Sequence, residues 1–178
     1  MKIIVTGPEF INNKLEICKM IAEQNDDFIV GQKFTSDKDY QNIISEDYLY
    51  YMSKEDIHLS FKNNSLLYIE YIEDTIYGIT LDSFYNSNLI NIELYNINNI
   101  PNQYLTDQVV IVYLDSKNHS TNLHKDIVET KYLFDRINEL NLKYLYFLDE
   151  DIKDIFEVIN KFIYSDEETQ KLILNEYN

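Results

Sequence analysis

Two stretches of the chain, Gln108–Leu114 (QVVIVYL) and Leu142–Leu148 (LKYLYFL), are apolar at nearly every position. A strand with one wet face alternates apolar and polar residues, so a run without alternation predicts a strand covered on both faces. Such strands belong to parallel sheets, whose neighbours are joined by crossovers that lay helices over the sheet. Shorter runs at Lys2–Val5, Asp26–Phe34, Ser65–Ile72 and Asn88–Leu94 read as further strands. Between them, apolar residues recur at helical spacing over Lys14–Gln24, Lys54–Lys62, Leu123–Leu140 and Asp151–Tyr164. In the first of these helices, Leu15, Cys18, Ile21 and Ala22 read as the core face. A last helix is expected within Ser165–Tyr177, with a capping box from Ser165 to Glu168. Strands and helices alternate at both ends around a Tyr-rich, antiparallel-looking middle, which predicts an α/β fold carrying an inserted lobe. At 178 residues the chain suits one domain.

Charge narrows the range of partners. The formal net charge is −16, with a single arginine, Arg136, and a nucleic-acid backbone needs clustered Lys and Arg to displace its counterions. Direct nucleic-acid binding is therefore not expected, although an acidic surface that imitates nucleic acid toward a basic protein stays open. The lone Cys18 cannot form an internal disulfide and sits on an apolar helix face, as a small core residue in a reducing compartment would. No apolar run reaches membrane-spanning length, and the first residues lack the pattern of a signal peptide, so a cytoplasmic location is expected. The abundance of Asn, Ile and Tyr points to an AT-rich genome, bacterial, phage or viral; for a virus the location is the host cytoplasm.

Chemistry is sought first in Gly7–Ile17 (GPEFINNKLEI), which joins the first strand to the first helix. A phosphate-binding Walker A loop, G-x-x-x-x-G-K-[ST], uses glycines to bring backbone N–H groups around phosphate, a lysine to neutralise it and a hydroxyl to hold magnesium. Gly7 and Pro8 fit its start. The second glycine falls on Asn12, the lysine on Asn13 and the hydroxyl on Lys14. Moving one residue along a helix turns a side chain by about 100°, so Lys14 is expected to point away from the lysine's place. Glu9 and Phe10 would repel phosphate and fill the loop.

From Thr35 to Gly78 the chain resembles, without gaps, the nucleotide-binding region of guanylate kinases. The matching segments are Thr35-Ser36-Asp37, Tyr40, Tyr48–Ile57 ending in YMSKEDI, Leu66-Leu67-Tyr68 and Tyr77-Gly78-Ile79. The opening KIIVTGP is similar to that family's first strand and loop. The resemblance implies a P-loop nucleoside-monophosphate-kinase-like fold: a parallel sheet flanked by helices, with an inserted small GMP-binding-type β lobe. The core would be residues 1–34 and 88–178, the lobe 35–87, within a single domain over 1–178.

The resemblance also shows which ligand contacts are replaced. The two arginines that grip the GMP phosphate in that family correspond to Asp37 and Tyr40. Its phosphate-binding tyrosine falls on Leu49, its guanine-reading glutamate on Tyr68 and its hydroxyl on Ile79, while Tyr77 matches. Tyr50, Glu70 or Thr80 could replace these only through a register change, which flips side chains across a sheet. For magnesium the chain offers Glu93, with Tyr95 next on the same face. Phosphoryl transfer depends on neutralising charge on the phosphoryl oxygens, so no catalytic residue, no cofactor and no phosphoryl transfer are expected. Vestigial nucleotide contacts would be Gly7, Lys14, Thr35, Ser36 and Tyr77. His58, His119 and His124 have no metal-ligand spacing. Tyrosine is enriched in protein interfaces, and Tyr48, Tyr50, Tyr51, Tyr68 and Tyr71 are candidates for contact with another protein. The expected role is that of a binding or structural module; the alternatives are a divergent nucleoside monophosphate kinase and an acidic nucleic-acid mimic.

Overall fold

The computed structural model describes residues 1–8, 13–39, 48–92, 94–117 and 123–178, apart from the side chains of Tyr95, Leu123 and His124. The chain forms two compact units, one of residues 1–28 and 89–178 and the other of residues 29–88.

The first unit is built on four parallel strands, β1 (Lys2–Thr6), β6 (Leu89–Asn91), β7 (Val109–Asp115) and β8 (Lys143–Leu148), in the order β6-β1-β7-β8. All seven residues of β7 are buried or nearly so, as the unbroken apolar run requires of a strand covered on both faces. Helix α5 (Leu123–Leu140) covers the face that carries Tyr113, Tyr144 and Tyr146. Its Phe134 meets the first two rings edge-on at 5.4 and 5.3 Å, while Tyr113 and Tyr146 stack at 5.7 Å. Helix α1 (Lys14–Gln24) packs against β1, β6 and α6 (Ile152–Tyr164), and α7 (Glu167–Glu176) follows against β8. Beyond α7, the Tyr177 ring lies 5.1 Å from Phe147.

Three local expectations are corrected. The buried stripe of α1 is Lys14, Ile17, Cys18 and Ile21, at i, i+3, i+4 and i+7, rather than one containing Leu15 and Ala22. The strand expected over Asn88–Leu94 ends at Asn91, and Leu94 already opens the short helix α4 (Leu94–Ile97). The cap of α7 is Asp166, not Ser165: the Asp166 carboxylate accepts the Thr169 N–H at 2.8 Å. That bond and its neighbours hold the Asp166 carboxyl below the usual carboxylate range. The Ser165 hydroxyl donates instead to the Lys161 carbonyl at 2.6 Å and so closes α6.

The second unit is a mixed sheet, β3-β2-β5-β4, formed by β2 (Lys33–Thr35), β3 (Leu49–Tyr51), β4 (Leu66–Ile72) and β5 (Thr75–Thr80). Only the end of the apolar run Asp26–Phe34 becomes strand. The antiparallel expectation holds for β2 with β5 and β4 with β5, whereas β3 lies parallel to β2. Helix α2 (Lys54–Lys62) is capped by Ser53, whose hydroxyl accepts the Asp56 N–H and donates to the Asp56 carboxylate at 2.7 Å. Helix α3 (Leu81–Asn86) follows β5 directly, capped by Thr80. The core gathers Phe34, Leu49, Ile57, Leu67, Ile79 and Phe84, all buried.

Candidate functional site

The loop after β1 begins with Gly7, whose φ is +154°. A Cβ there would lie 2.3 Å from the carbonyl oxygen of Leu114 on β7, so the close approach of loop to strand admits only glycine. Glu9, Phe10 and Asn12 lie outside the described residues. Lys14, the first residue of α1, is buried, and its ammonium donates to the Pro8 carbonyl at 2.9 Å. The lysine therefore turns inward, because its position falls on the core stripe of α1, and one of its donors closes the loop on its own backbone.

On the lobe, strand register sorts the candidate residues between two faces. Thr35 pairs with Tyr51 on one side and Tyr77 on the other, and Tyr77 pairs with Glu70, so these four form one row. Tyr68 shares that face, two residues from Glu70 on β4. Phe34, Tyr50, Gly78 and Ile69 form the adjacent row on the opposite face, with Tyr71 beyond Ile69. The five contact candidates are thus divided: Tyr51 and Tyr68 on the first face, Tyr50 and Tyr71 on the second. Tyr48 precedes β3, and its carbonyl accepts the Lys33 N–H at 2.9 Å. Glu70 needs no change of face to stand beside Tyr77, which corrects the register requirement placed on it. For Tyr50 and Thr80 that requirement stands, since each is one residue removed.

The hydroxyls of Thr35 and Ser36, at the end of β2, serve the local backbone. Thr35 is fully buried, and its Oγ1 accepts the Asp37 N–H at 3.1 Å. Ser36 is tied to β5 twice, its N–H to the Ile76 carbonyl at 2.8 Å and its Oγ to the Ile76 N–H at 2.9 Å. Lys38 places its ammonium 5.1 Å from the centre of the Tyr51 ring. Asp37 and Asp39 flank it in sequence, and the same face carries Glu70 on β4 and Lys33 on β2.

The second face holds a cavity of about 430 Å³ lined by Val30, Gln32, Tyr50, Thr80, Asp82 and Asn86. Burial raises the Tyr50 phenol above its ordinary pKa, against a hydrogen bond to Thr80 that lowers it. Sequence reading passed over this cavity because its walls come from the chain crossings at either end of the lobe and from α3, which no motif marks. It also passed over the setting of Arg136. This residue is buried on α5 and donates to the carbonyls of Ile97, Asn98 and Ile100 and to Asn102 Oδ1, the bond to Ile97 measuring 2.9 Å. Burial pulls its pKa below the usual guanidinium value.

Tyr40, Glu93 and His119 lie outside the described residues. Among the described residues no group of three or more His, Cys, Asp or Glu is disposed to hold a metal, and no helix is long and apolar enough to cross a membrane.

A parallel four-stranded sheet flanked by helices, with a smaller sheet inserted between β1–α1 and β6, defines a P-loop nucleoside-monophosphate-kinase-like α/β fold. Among solved structures, a guanylate kinase from Anaplasma phagocytophilum superposes with a TM-score of 0.54 at 10% identity, covering 92% of this chain and 84% of that one. The fold is guanylate kinase-like. No family model matches the sequence, and no curated protein does.

Proposed function

We propose that this is a guanylate-kinase-like domain without phosphoryl-transfer activity, kept as a protein-binding or structural module. The observation that carries the reading is the setting of Arg136. The chain's one guanidinium is buried, with its donors on the carbonyls of Ile97, Asn98 and Ile100 and on Asn102 Oδ1, and so is withdrawn from any phosphate. Phosphoryl transfer needs fixed positive charge on the transferring oxygens, and lysine supplies it only as a point charge. Lys14 is buried against Pro8, and Lys38, between Asp37 and Asp39 in the sequence, stands over Tyr51. A charge of −16 favours a partner that is basic or uncharged over a phosphorylated one. A phage or viral source, one of those the composition suggests, would fit a role in binding a host protein or in a particle.

The test is calorimetry with ATP, GMP and deoxynucleoside monophosphates in magnesium buffer, alongside a coupled assay for ADP release. The expected result is no saturable heat at micromolar ligand and no turnover. Micromolar binding together with transfer would instead establish a divergent kinase.

A further inference from the structure

The lobe's sheet ends on β4, and among the described residues no strand pairs with its outer edge. An unpaired strand edge presents a row of N–H and C=O groups ready to accept another strand. The protections of β4 are limited to a register shift between Leu66 and Tyr68 and the single charge of Glu70. Over its seven residues it carries no proline and no lysine, its register with β5 is regular from Tyr68 to Ile72, and Tyr71 and Ile72 are 69% and 48% exposed.

Over the face of the sheet that carries Ile69 and Tyr71 runs a groove of about 320 Å³. One wall is α2, which contributes Lys54, Ile57, His58 and Phe61, a single helical stripe at i, i+3, i+4 and i+7. The other wall is Ile69 and Tyr71 of β4, with Ile76 of β5. Phe61 is 62% exposed although it belongs to this stripe, so the apolar lining is open to solvent. Lys54 fixes the far end by donating to the Asp74 carbonyl in the β4–β5 turn at 3.1 Å.

We infer that the β4 edge and the α2 groove together receive an extended segment of another protein, added as a further strand and alternating apolar with basic residues. The alternation follows from the pleat. Residues opposite Ile69 and Tyr71 share their face and enter the groove, while those opposite Glu70 share the other face and meet a carboxylate. Glu73 and Asp74 add negative charge at the end of the strand. A second copy of this chain fits poorly, because two molecules each carrying −16 would bring their Glu70 and Glu73 side chains together. Strand addition of this kind draws affinity from main-chain hydrogen bonds and specificity from alternate side-chain pockets. The inference rests on the protein-binding reading and assigns it a surface that the tyrosines of the Thr35 face do not form.

The test uses the full chain and end-blocked synthetic peptides as long as β4, followed by fluorescence anisotropy. One peptide alternates valine and lysine, a second holds the same residues in two blocks, and a third alternates valine and glutamate. The alternating basic peptide is expected to saturate, and the other two to bind at least about tenfold more weakly, the scale of losing one anchoring contact. N-methylation of one alternate set of its amides should abolish binding and methylation of the other set should be tolerated, since only one set faces β4. Tyr71→Glu, at an exposed position, should weaken binding by about tenfold with the circular dichroism spectrum unchanged. The inference is overturned if no peptide binds, if residue order or N-methylation makes no difference, or if sedimentation shows a dimer that Tyr71→Glu dissolves. Failure of the peptides leaves the nucleotide calorimetry to decide the proposed function, and nucleotide turnover would overturn that function whatever the peptides do.

Discussion

Replacing Arg136 by methionine separates a structural guanidinium from one held for an anion. Methionine keeps much of the aliphatic stem and removes every donor. Of the two carbonyls that Arg136 meets inside the protein, that of Ile97 keeps the Ile100 N–H at 3.2 Å, whereas that of Ile100 would be left buried without its guanidinium donor. Those of Asn98 and Asn102 are part-buried and can be rehydrated. A buried acceptor without a donor costs roughly 1–3 kcal/mol. Relief of the guanidinium's own desolvation, which depresses its pKa, offsets part of this. The net expectation for Arg136→Met is a loss of about 1–3 kcal/mol. At about 2–4 °C per kcal/mol for a chain of this length, Tm falls by roughly 2–12 °C. Arg136→Lys, with three donors that cannot reach all four acceptors, should lose about half as much. Urea titration and thermal melts by circular dichroism measure both. A methionine variant within about 0.5 kcal/mol of the parent, the ordinary spread of surface substitutions, would show that residues 97–102 do not depend on the guanidinium, and the case against phosphate binding would lose its main support.

Gly78 faces the Tyr68 carbonyl and the Phe34 ring, and an added Cβ would lie 2.4 Å from the first and 2.6 Å from the second. Gly78→Ala should therefore cost about 1–3 kcal/mol by urea titration, the usual range for overpacking. Phe34→Leu should not restore the loss, because the carbonyl belongs to the sheet. Burial lowers the Lys2 ammonium from 10.5 to about 8. The unfolded chain then holds this proton more tightly, so the cost is fully present below pH 8 and fades between pH 8 and 10.5. Lys2→Met should be more stable than the parent at pH 7 by about 1 kcal/mol, a figure reduced because Lys2 is only partly buried, and the difference should vanish above pH 10.5. Tyr146 donates to Asp115 Oδ2 at 2.6 Å, and its phenol is raised well above the ordinary value by burial and by that bond. Tyr146→Phe should cost about 1 kcal/mol, measured by thermal melts at pH 7, since Asp115 keeps the Ser116 N–H on its other oxygen.

Hydrophobic period made most of the architecture legible before any coordinates. The unbroken runs of β7 and β8 required a sheet covered on both faces, and the helical stripes placed α1, α2, α5 and α6. What period could not give was phase. On α1 the alternatives Leu15-Cys18-Ile21-Ala22 and Lys14-Ile17-Cys18-Ile21 differ by one residue, and a lysine at the first place argued for the wrong one. Its stem can lie in the core while the ammonium finds a carbonyl, which a hydropathy pattern does not register. The same limit affected the tyrosines. Proximity in sequence grouped them, but the pleat sends Tyr50 and Tyr51 to opposite faces, and the parallel pairing that fixes this is set by β2, distant in sequence.

Several residues that read as nucleotide contacts have packing reasons for their identity. Gly7 is required by the Leu114 carbonyl. Thr35 is buried and stabilises the turn to Asp37, and Ser36 joins β2's end to β5 by two hydrogen bonds. A chain with this fold and no ligand at all would be constrained to keep them. Their presence therefore does not distinguish a working nucleotide site from an abandoned one. The distinguishing positions are those where the sign of the charge matters to a ligand. Asp37, whose carboxylate also accepts the Asp39 N–H at 2.9 Å, and Glu70 are both anionic where a phosphate would need cations. A pair of charge reversals, Asp37→Arg with Glu70→Lys, separates the two cases. If the fold alone has been kept, the doubly reversed chain should remain folded and gain a measurable, salt-sensitive affinity for GMP that the parent lacks. A parent that already binds GMP, and loses it on reversal, would show that these carboxylates read the base and that the site is in use.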